Sequence, residues 1–411
     1  MIRPFRGLRP APGRAEEVAA PPYDVLNSEE ARQRAAGRPW SFLHISKPEI
    51  DLPPGTNPYD DAVYAKGLEN FQQMVANGVL QQDAAEHYYL YRLVMGAHQQ
   101  FGLVAAASVT DYDSNRIRKH EYTRPDKEDD RVRQIDTLNA QTGPVFLTYR
   151  HHPQIDNLVA TVAATPPELD LVADDGVQHT LWVIAAEEDI ATITTTFAAM
   201  DHLYIADGHH RSASASRVAK QRQAKNPQHH GSEPYNRFLA VLFPDSQVQI
   251  FDYNRVVTDL NGLSRDEFLA QLQHRFTVTA VAAAVKPEQS GCFGMYLEGQ
   301  WYRLELDPKR IPAGDPVAAL DVSILAREVI EPLLGIDDPR RDKRIDFVGG
   351  IRGMAGLEKR VDSGEMAVAF SLYPTSLQQL MAVADADRVM PPKSTWFEPK
   401  LADGLVSLLL D

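Results

Sequence analysis

The stretch Leu203–Lys220, LYIADGHHRSASASRVAK, decides how this chain is read. Leu203–Ala206 is a short apolar run of strand character. Asp207-Gly208-His209-His210-Arg211 follows, and an alanine- and serine-rich helical segment continues from it. Polar chemistry therefore sits where a strand turns into a helix. The first N–H groups of a helix lack intrahelical partners, and they lie at the positive end of its dipole, so such a junction favours an anion. Gly208 lets backbone approach a phosphate closely. Arg211 offers a planar fork for two parallel bonds, while His209 and His210 add donors. Asp207 does not suit a simple anion hole; a carboxylate there fits binding of Mg2+ or acceptance of a proton from an attacking hydroxyl. The plainer alternative is that Asp207 caps the helix and Arg211 pairs with it.

On either side of this junction the pattern is mixed. Two polar, proline- and glycine-rich loops are expected, Asp51–Pro58 (DLPPGTNP) and Lys225–Pro234 (KNPQHHGSEP), the second at a domain border. Tyr64, Leu68, Phe71 and Val75 mark one face of a helix that Asn77-Gly78 stops. Tyr88–Met95 and Phe101–Thr110 read as a hairpin, with further strands at Val145–Tyr149 and Thr180–Ala185. Beyond Pro234, strands at Arg237–Phe243, Val248–Asp252, Phe276–Val285, Gly294–Leu297 and Trp301–Leu306 alternate with a helix at Arg265–His274. Val317, Leu320, Ile324, Leu325 and Val329 then share the face of a long helix, followed by a strand at Met366–Tyr373 and a helix around Ser376–Ala384. The fold class is α+β with mixed sheets, divided into an N-terminal region 1–233 and a C-terminal region 234–411.

Three more segments carry candidate chemistry. Arg118–Arg131 (RKHEYTRPDKEDDR) is dense in charge; Lys127–Asp130 is as well explained by a solvated loop, but Lys119-His120-Glu121 puts a cation, an imidazole and a carboxylate at one strand or loop end. Met390–Lys400 (MPPKSTWFEPK) is stiffened by prolines and presents Lys393, Ser394 and Thr395 for phosphate oxygens or a metal. Pro21-Pro22-Tyr23-Asp24 sets an acid after a rigid turn. Several familiar sites are excluded. Arg124 stands where HExxH needs histidine, no GxxxxGK precedes Lys393, Gly349, Gly350, Gly353 and Gly356 do not fit GxGxxG, and no GxSxG surrounds Ser212 or Ser214. The adjacent histidine pairs His151-His152, His209-His210 and His229-His230 point apart on a strand or helix, which argues against a histidine-rich transition-metal site.

Composition narrows the function class. The 411 residues are 44% hydrophobic and 24% charged, the balance of a globular chain with room for two or three cores. The formal charge of −14 supplies no global attraction for phosphate backbones or anionic lipids, so nucleic acid is not an expected partner. One cysteine, Cys292, can build neither an internal disulfide nor a cysteine-based metal site, and no membrane span or signal peptide stands out, so a cytoplasmic setting is expected. Homo-oligomerisation stays open.

PPYDV near the start, KHExT with a following DR, ADGHHR in the middle and MPPKST-x-F-x-PK-x-x-x-GLV at the end resemble, in that order, the domain-of-unknown-function family 1015 of bacteria and archaea. More distantly, strand–DGHHR–helix resembles the ParB and sulfiredoxin superfamily, and within it free-serine kinases with a DGH-x-R motif. That likeness implies a nucleotide-phosphate site at Gly208, His209, His210 and Arg211, with Asp207 near the transferred group; sulfiredoxin's catalytic cysteine has no counterpart. The expectation is a nucleotide-dependent phosphotransferase acting on a small hydroxylated metabolite, free serine first, with ATP or ADP and Mg2+ as cofactors. A phosphoester hydrolase using the same cradle and a ParB-like nucleotide-binding regulator remain alternatives. The expected catalytic residues are Asp207, Glu121 and His209, and Asp207 and Glu121 are the metal ligands. Gly208, His210, Arg211, Lys393, Ser394 and Thr395 are expected on the nucleotide, and Asp24, His120 and Arg131 on the substrate.

Overall fold

A computed structural model describes residues 1–411 and divides them into two compact units. The first comprises Met1–Val248 and Pro399–Asp411, the second Gln249–Glu398. The division falls after Val248 rather than at 233/234. Strand Arg237–Pro244 lies in the middle of the first unit's sheet, parallel to Val145–Tyr149 and antiparallel to His98–Ser108, so the polar loop before it connects elements of one unit.

The first unit is organised by a nine-stranded mixed sheet in the order Ile117–Arg118, Leu203–Asp207, Val145–Tyr149, Arg237–Pro244, His98–Ser108, Tyr88–Met95, Gln178–Ile184, Leu169–Val172, with Ile2–Arg3 also pairing to His98–Ser108. Its central strands are mostly apolar and buried, strand Arg237–Pro244 from Phe238 onward. Phe238, Leu239, Ala240, Leu242 and Phe243 have no exposed surface, and each such large side chain contributes roughly 1.5–3 kcal/mol of burial. Helices Asp61–Ala76 and Ser28–Ala35 enclose a second core around Phe42, Ile45, Phe71 and Val79. The C-terminal residues return to this unit: Ala20 and Asp403 exchange backbone hydrogen bonds of 3.1 and 2.9 Å, Leu8 bridges to Ser407, and Leu408–Leu409 pairs with Ala140–Gln141.

Helix His209–Lys225 buries Ser212, Ala213, Ser214, Ala215 and Ser216. Their small size lets it approach helix Pro125–Leu138, and the buried hydroxyls find partners there and nearby: Ser214 donates to the Glu128 carbonyl at 3.1 Å and Ser216 to Asp113 at 2.7 Å. The charged run Arg118–Arg131 is thus no loop beyond Arg124. Pro125 sits in the first turn, Asp126 and Glu128 complement the dipole there, and Val132, Ile135 and Leu138 face inward.

The second unit is built on a six-stranded antiparallel sheet in the order Phe276–Val281, Gln300–Leu306, Cys292–Leu297, Val368–Ser371, Tyr253–Val257, Ile345–Gly349. The long helix expected over 317–329 is shorter. Asp315 accepts the N–H groups of Val317 and Ala318 and holds them in a turn, so the α-helix spans only Asp321–Leu325 before a π-helical segment at Ala326–Ile330.

Candidate functional site

Strand Leu203–Asp207 ends on Gly208, whose φ of +99° swings the chain into helix His209–Lys225. A side chain at 208 would be strained, and its Cβ would stand 3.0 Å from Arg211 Nε and 3.3 Å from Val145 Cα. Asp207 Oδ1 accepts the Gly208 N–H at 2.9 Å, and its other oxygen lies 3.6 Å from Arg211 and 3.7 Å from Lys400. Burial works against its charge, but Lys400 and Arg211 outweigh that and bring the carboxyl down to about 2. Asp207 therefore pairs with Arg211, as the plainer reading has it, but does not cap the helix: the N-cap is Gly208, and no side chain accepts from the first helical N–H groups.

Arg211 is 9% exposed. Burial disfavours its charge, yet Asp24, Asp207, Tyr23 and Asp403 together hold the guanidinium firmly protonated. Asp24 comes from the turn Tyr23–Val25 and Arg131 from helix Pro125–Leu138, where Arg131 pairs with Asp130 at 2.7 Å and stacks 4.0 Å from the Tyr23 ring centroid. Asp403 completes the group. It is 2% exposed, one of its carboxylate oxygens has no hydrogen-bond partner, and burial raises its pKa to about 7 despite Arg211 and Arg131. Gly143 closes the space between them, since a Cβ there would meet Arg211 Cδ at 3.3 Å and Asp403 Oδ1 at 3.6 Å.

On the other side of the turn stand His120 and Glu121, just past strand Ile117–Arg118. The His120 amide donates to His209 Nε2 at 3.4 Å, the two rings meet edge to face at 4.4 Å, and His209 Nδ1 lies 3.9 Å from Glu121. Burial holds both imidazoles neutral, His120 at about 4 and His209 well below the ordinary value. His210 points elsewhere, its Nε2 accepting the Arg124 N–H at 3.1 Å.

The structure thus gathers Asp24, His120, Glu121, Arg131, Asp207, Gly208, His209, His210 and Arg211 in one unit around one strand end. Lys393, Ser394 and Thr395 belong to the second unit. There the Ser394 hydroxyl donates to the Pro391 carbonyl at 2.6 Å, Arg255 bonds the Lys393 carbonyl at 3.0 Å, and Lys393 Nζ lies 5.6 Å from the Tyr253 ring centroid. The tail contributes to the turn through Lys400 and Asp403 instead. Both were overlooked as single residues, although both fall within PK-x-x-x-GLV. Mg2+ takes oxygen ligands, and Asp207 and Glu121 offer them; of the two, Asp207 is already countered by Lys400 and Arg211, while Glu121 is 45% exposed. A cavity of about 740 Å3 opens in the other unit beside Arg275, Cys292 and Arg310 and touches none of the candidate catalytic, nucleotide or substrate residues.

Residues 2–323 match the family described as "Protein of unknown function (DUF1015)". The chain belongs to this family. No curated protein matches it in sequence. Among solved structures it is similar to a free serine kinase in complex with AMP (12% identity, 74% of this chain and 92% of that one, TM-score 0.36) and to a conserved hypothetical protein from Pyrococcus furiosus (14%, 74% and 95%, 0.36). SbnI from Staphylococcus aureus with a C-terminal truncation is a further match (11%, 73% and 85%, 0.38). At these scores the likenesses carry no functional argument. No helix is long and apolar enough to cross a membrane.

Proposed function

We propose that this DUF1015 protein is a nucleotide-dependent phosphotransferase that passes a phosphoryl group from ATP or ADP to a small hydroxylated metabolite, free serine being the first acceptor to try. The reading rests on one arrangement: a glycine turn in left-handed backbone opens a helix whose first residues stand beside the buried Arg211 and beside Lys400, with the carboxylates of Asp207 and Glu121 at the same strand end. Phosphoryl transfer asks a protein mainly to position the reactants and neutralise charge. The helix N-terminus and Gly208 would receive phosphate oxygens, Arg211 would fix them in direction, and His209 and His210 would line the turn. Mg2+ would offset the charge of the phosphates, with Asp207 and Glu121 as its oxygen donors. Asp24, His120 and Arg131 would face the acceptor. Lys393, Ser394 and Thr395 retain a proposed nucleotide role from sequence character alone.

Calorimetric titration with ATP and with ADP in the presence of Mg2+ tests the first half of this reading. Saturable binding that is lost in Arg211→Gln and partly kept in Arg211→Lys is expected, because the cation and not the fork alone meets the phosphate. Absence of binding to either nucleotide by the folded chain would remove the basis of the proposal.

A further inference from the structure

The loop that leaves strand Ile117–Arg118 and the first turn of helix His209–Lys225 bring His120, Glu121 and His209 so close that one ligand-capable atom of each lies within 4.8 Å of the other two. We propose that these three side chains form a site for a single divalent cation of the zinc, cobalt, manganese or iron(II) class. Two imidazoles and one carboxylate are a donor set that such borderline ions accept with coordination positions to spare, whereas Mg2+ prefers oxygen throughout.

The state of His120 is the second observation. It is 2% exposed, and its Nδ1 has no hydrogen-bond partner. Buried polar atoms are nearly always paired, and a cation shared with Glu121 and His209 would supply the partner that this nitrogen lacks. Glu121, next in the chain, adds the anionic ligand. His209 adds the second imidazole from a helix whose opening turn is fixed by Gly208. The contact that must yield is the long 3.4 Å bond from the His120 amide to His209 Nε2, since a cation on either nitrogen of His209 ends it. Asp207 is not one of the three. Its oxygens already meet the Gly208 N–H, Arg211 and Lys400.

The inference is tested apart from the phosphotransferase reading, because an ion held by protein side chains alone binds without nucleotide, but it shares residues with that reading: with the ion in place Glu121, His120 and His209 serve it, and Asp207, Asp24, Arg131 and Arg211 keep the remaining roles. Bound there, the ion would add a Lewis acid beside the phosphate-binding turn. One competitor must be removed from the test. His229 and His230 lie 3.2 and 3.7 Å from Glu233 in an exposed loop and could collect metal adventitiously.

The full chain carrying His229→Gln and His230→Gln, freed of metal with EDTA, is titrated with Co2+ without nucleotide. It is followed by visible absorption and by metal content after gel filtration, and repeated with Zn2+. Retention of a single ion per chain, with the d–d bands of a nitrogen- and oxygen-ligated Co2+, is expected. Glu121→Gln and His209→Gln should each weaken binding roughly tenfold or more, on the scale that loss of much lesser metal contacts reaches. His120 is buried and its replacement can unfold the chain, so the half-exposed Glu121 carries the test, with melting temperature confirming that the variant is folded. No retained Co2+ or Zn2+, or single-ion binding that survives both Glu121→Gln and His209→Gln, overturns the proposal and leaves the transfer reading where it stood.

Discussion

Lys400 Nζ stands 3.7 Å from the Asp207 carboxylate, so the C-terminal segment reaches the strand end that opens the Asp-Gly-His-His-Arg turn. The pairing helps to hold Asp207 at about 2. A carboxyl lowered on folding adds stability that is present above its unfolded value of 3.8 and is lost as pH falls toward 2. In Lys400→Met the Asp207 pKa should rise, shrinking that loss and shifting it upward in pH. Because Asp207 is 38% exposed, the stability change near neutrality should stay within ~1 kcal/mol. Carboxyl-carbon NMR across pH 1–5 would follow the titration directly; an unmoved Asp207 would mean that Arg211 and the Gly208 N–H set it without Lys400.

Gly208→Ala tests the turn. At φ +99° an added Cβ is strained and meets Arg211 and Val145, so stability should drop by roughly 1–2 kcal/mol for the backbone conformation alone. Nucleotide binding should fall further than stability does, since the phosphate would lose its close approach to the backbone. Denaturant melts and calorimetry on one preparation separate the two effects.

Asp403 has the opposite sign to Asp207. Its carboxyl is raised from 3.8 to about 7, so its contribution is fully present below 3.8 and is lost as pH rises through 7. Asp403→Asn should therefore unfold at a higher temperature than the parent at pH 8 and show no such advantage at pH 4. Equal differences at both pH values would show that Asp403 stays ionised throughout.

The tail is a structural member of the first unit, tied in through Ala20, Leu8 and Ala140–Gln141. Gly404, at φ +89°, brings its backbone against Phe42. A chain ending at Glu398 should lose cooperative unfolding of the first unit while the second keeps its protease resistance. Limited proteolysis with mass spectrometry of the fragments checks this, and unchanged protection of both units would contradict it.

Local patterns in the sequence were enough to find Val145–Tyr149, the hairpin around Gly96, the strand before Asp207 and the helix after it, because each is marked by neighbours in sequence. They also named most of the residues that meet at the turn. Partnerships between distant residues were not legible. Nothing local in Lys400 or Asp403 says that an apolar C-terminal strand returns to pair with Ala140–Gln141, and Lys-Ser-Thr at 393–395 drew attention to residues whose polar groups serve the loop's own packing: the Ser394 hydroxyl bonds Pro391, and Arg255 and Thr375 bond the Lys393 and Ser394 carbonyls. The helix from Pro125 was hidden beneath its charges, which crowd between its three inward apolar residues although Asp130 and Arg131 are themselves turned inward. The unpartnered Nδ1 of His120 depends on what packs around the ring, which no spacing rule encodes.

Phosphorus NMR of the purified chain with Mg2+ and ATP or ADP, with and without L-serine, tests the central claim most directly when wild type and Asp207→Asn are run side by side. The account expects a new phosphomonoester resonance that needs both the acceptor and Asp207, with most of the turnover lost in the variant while folding is kept. Inorganic phosphate alone, formed equally with and without serine, would point to hydrolysis in the same cradle. A spectrum unchanged with either nucleotide, or a variant as active as the parent, would contradict the account.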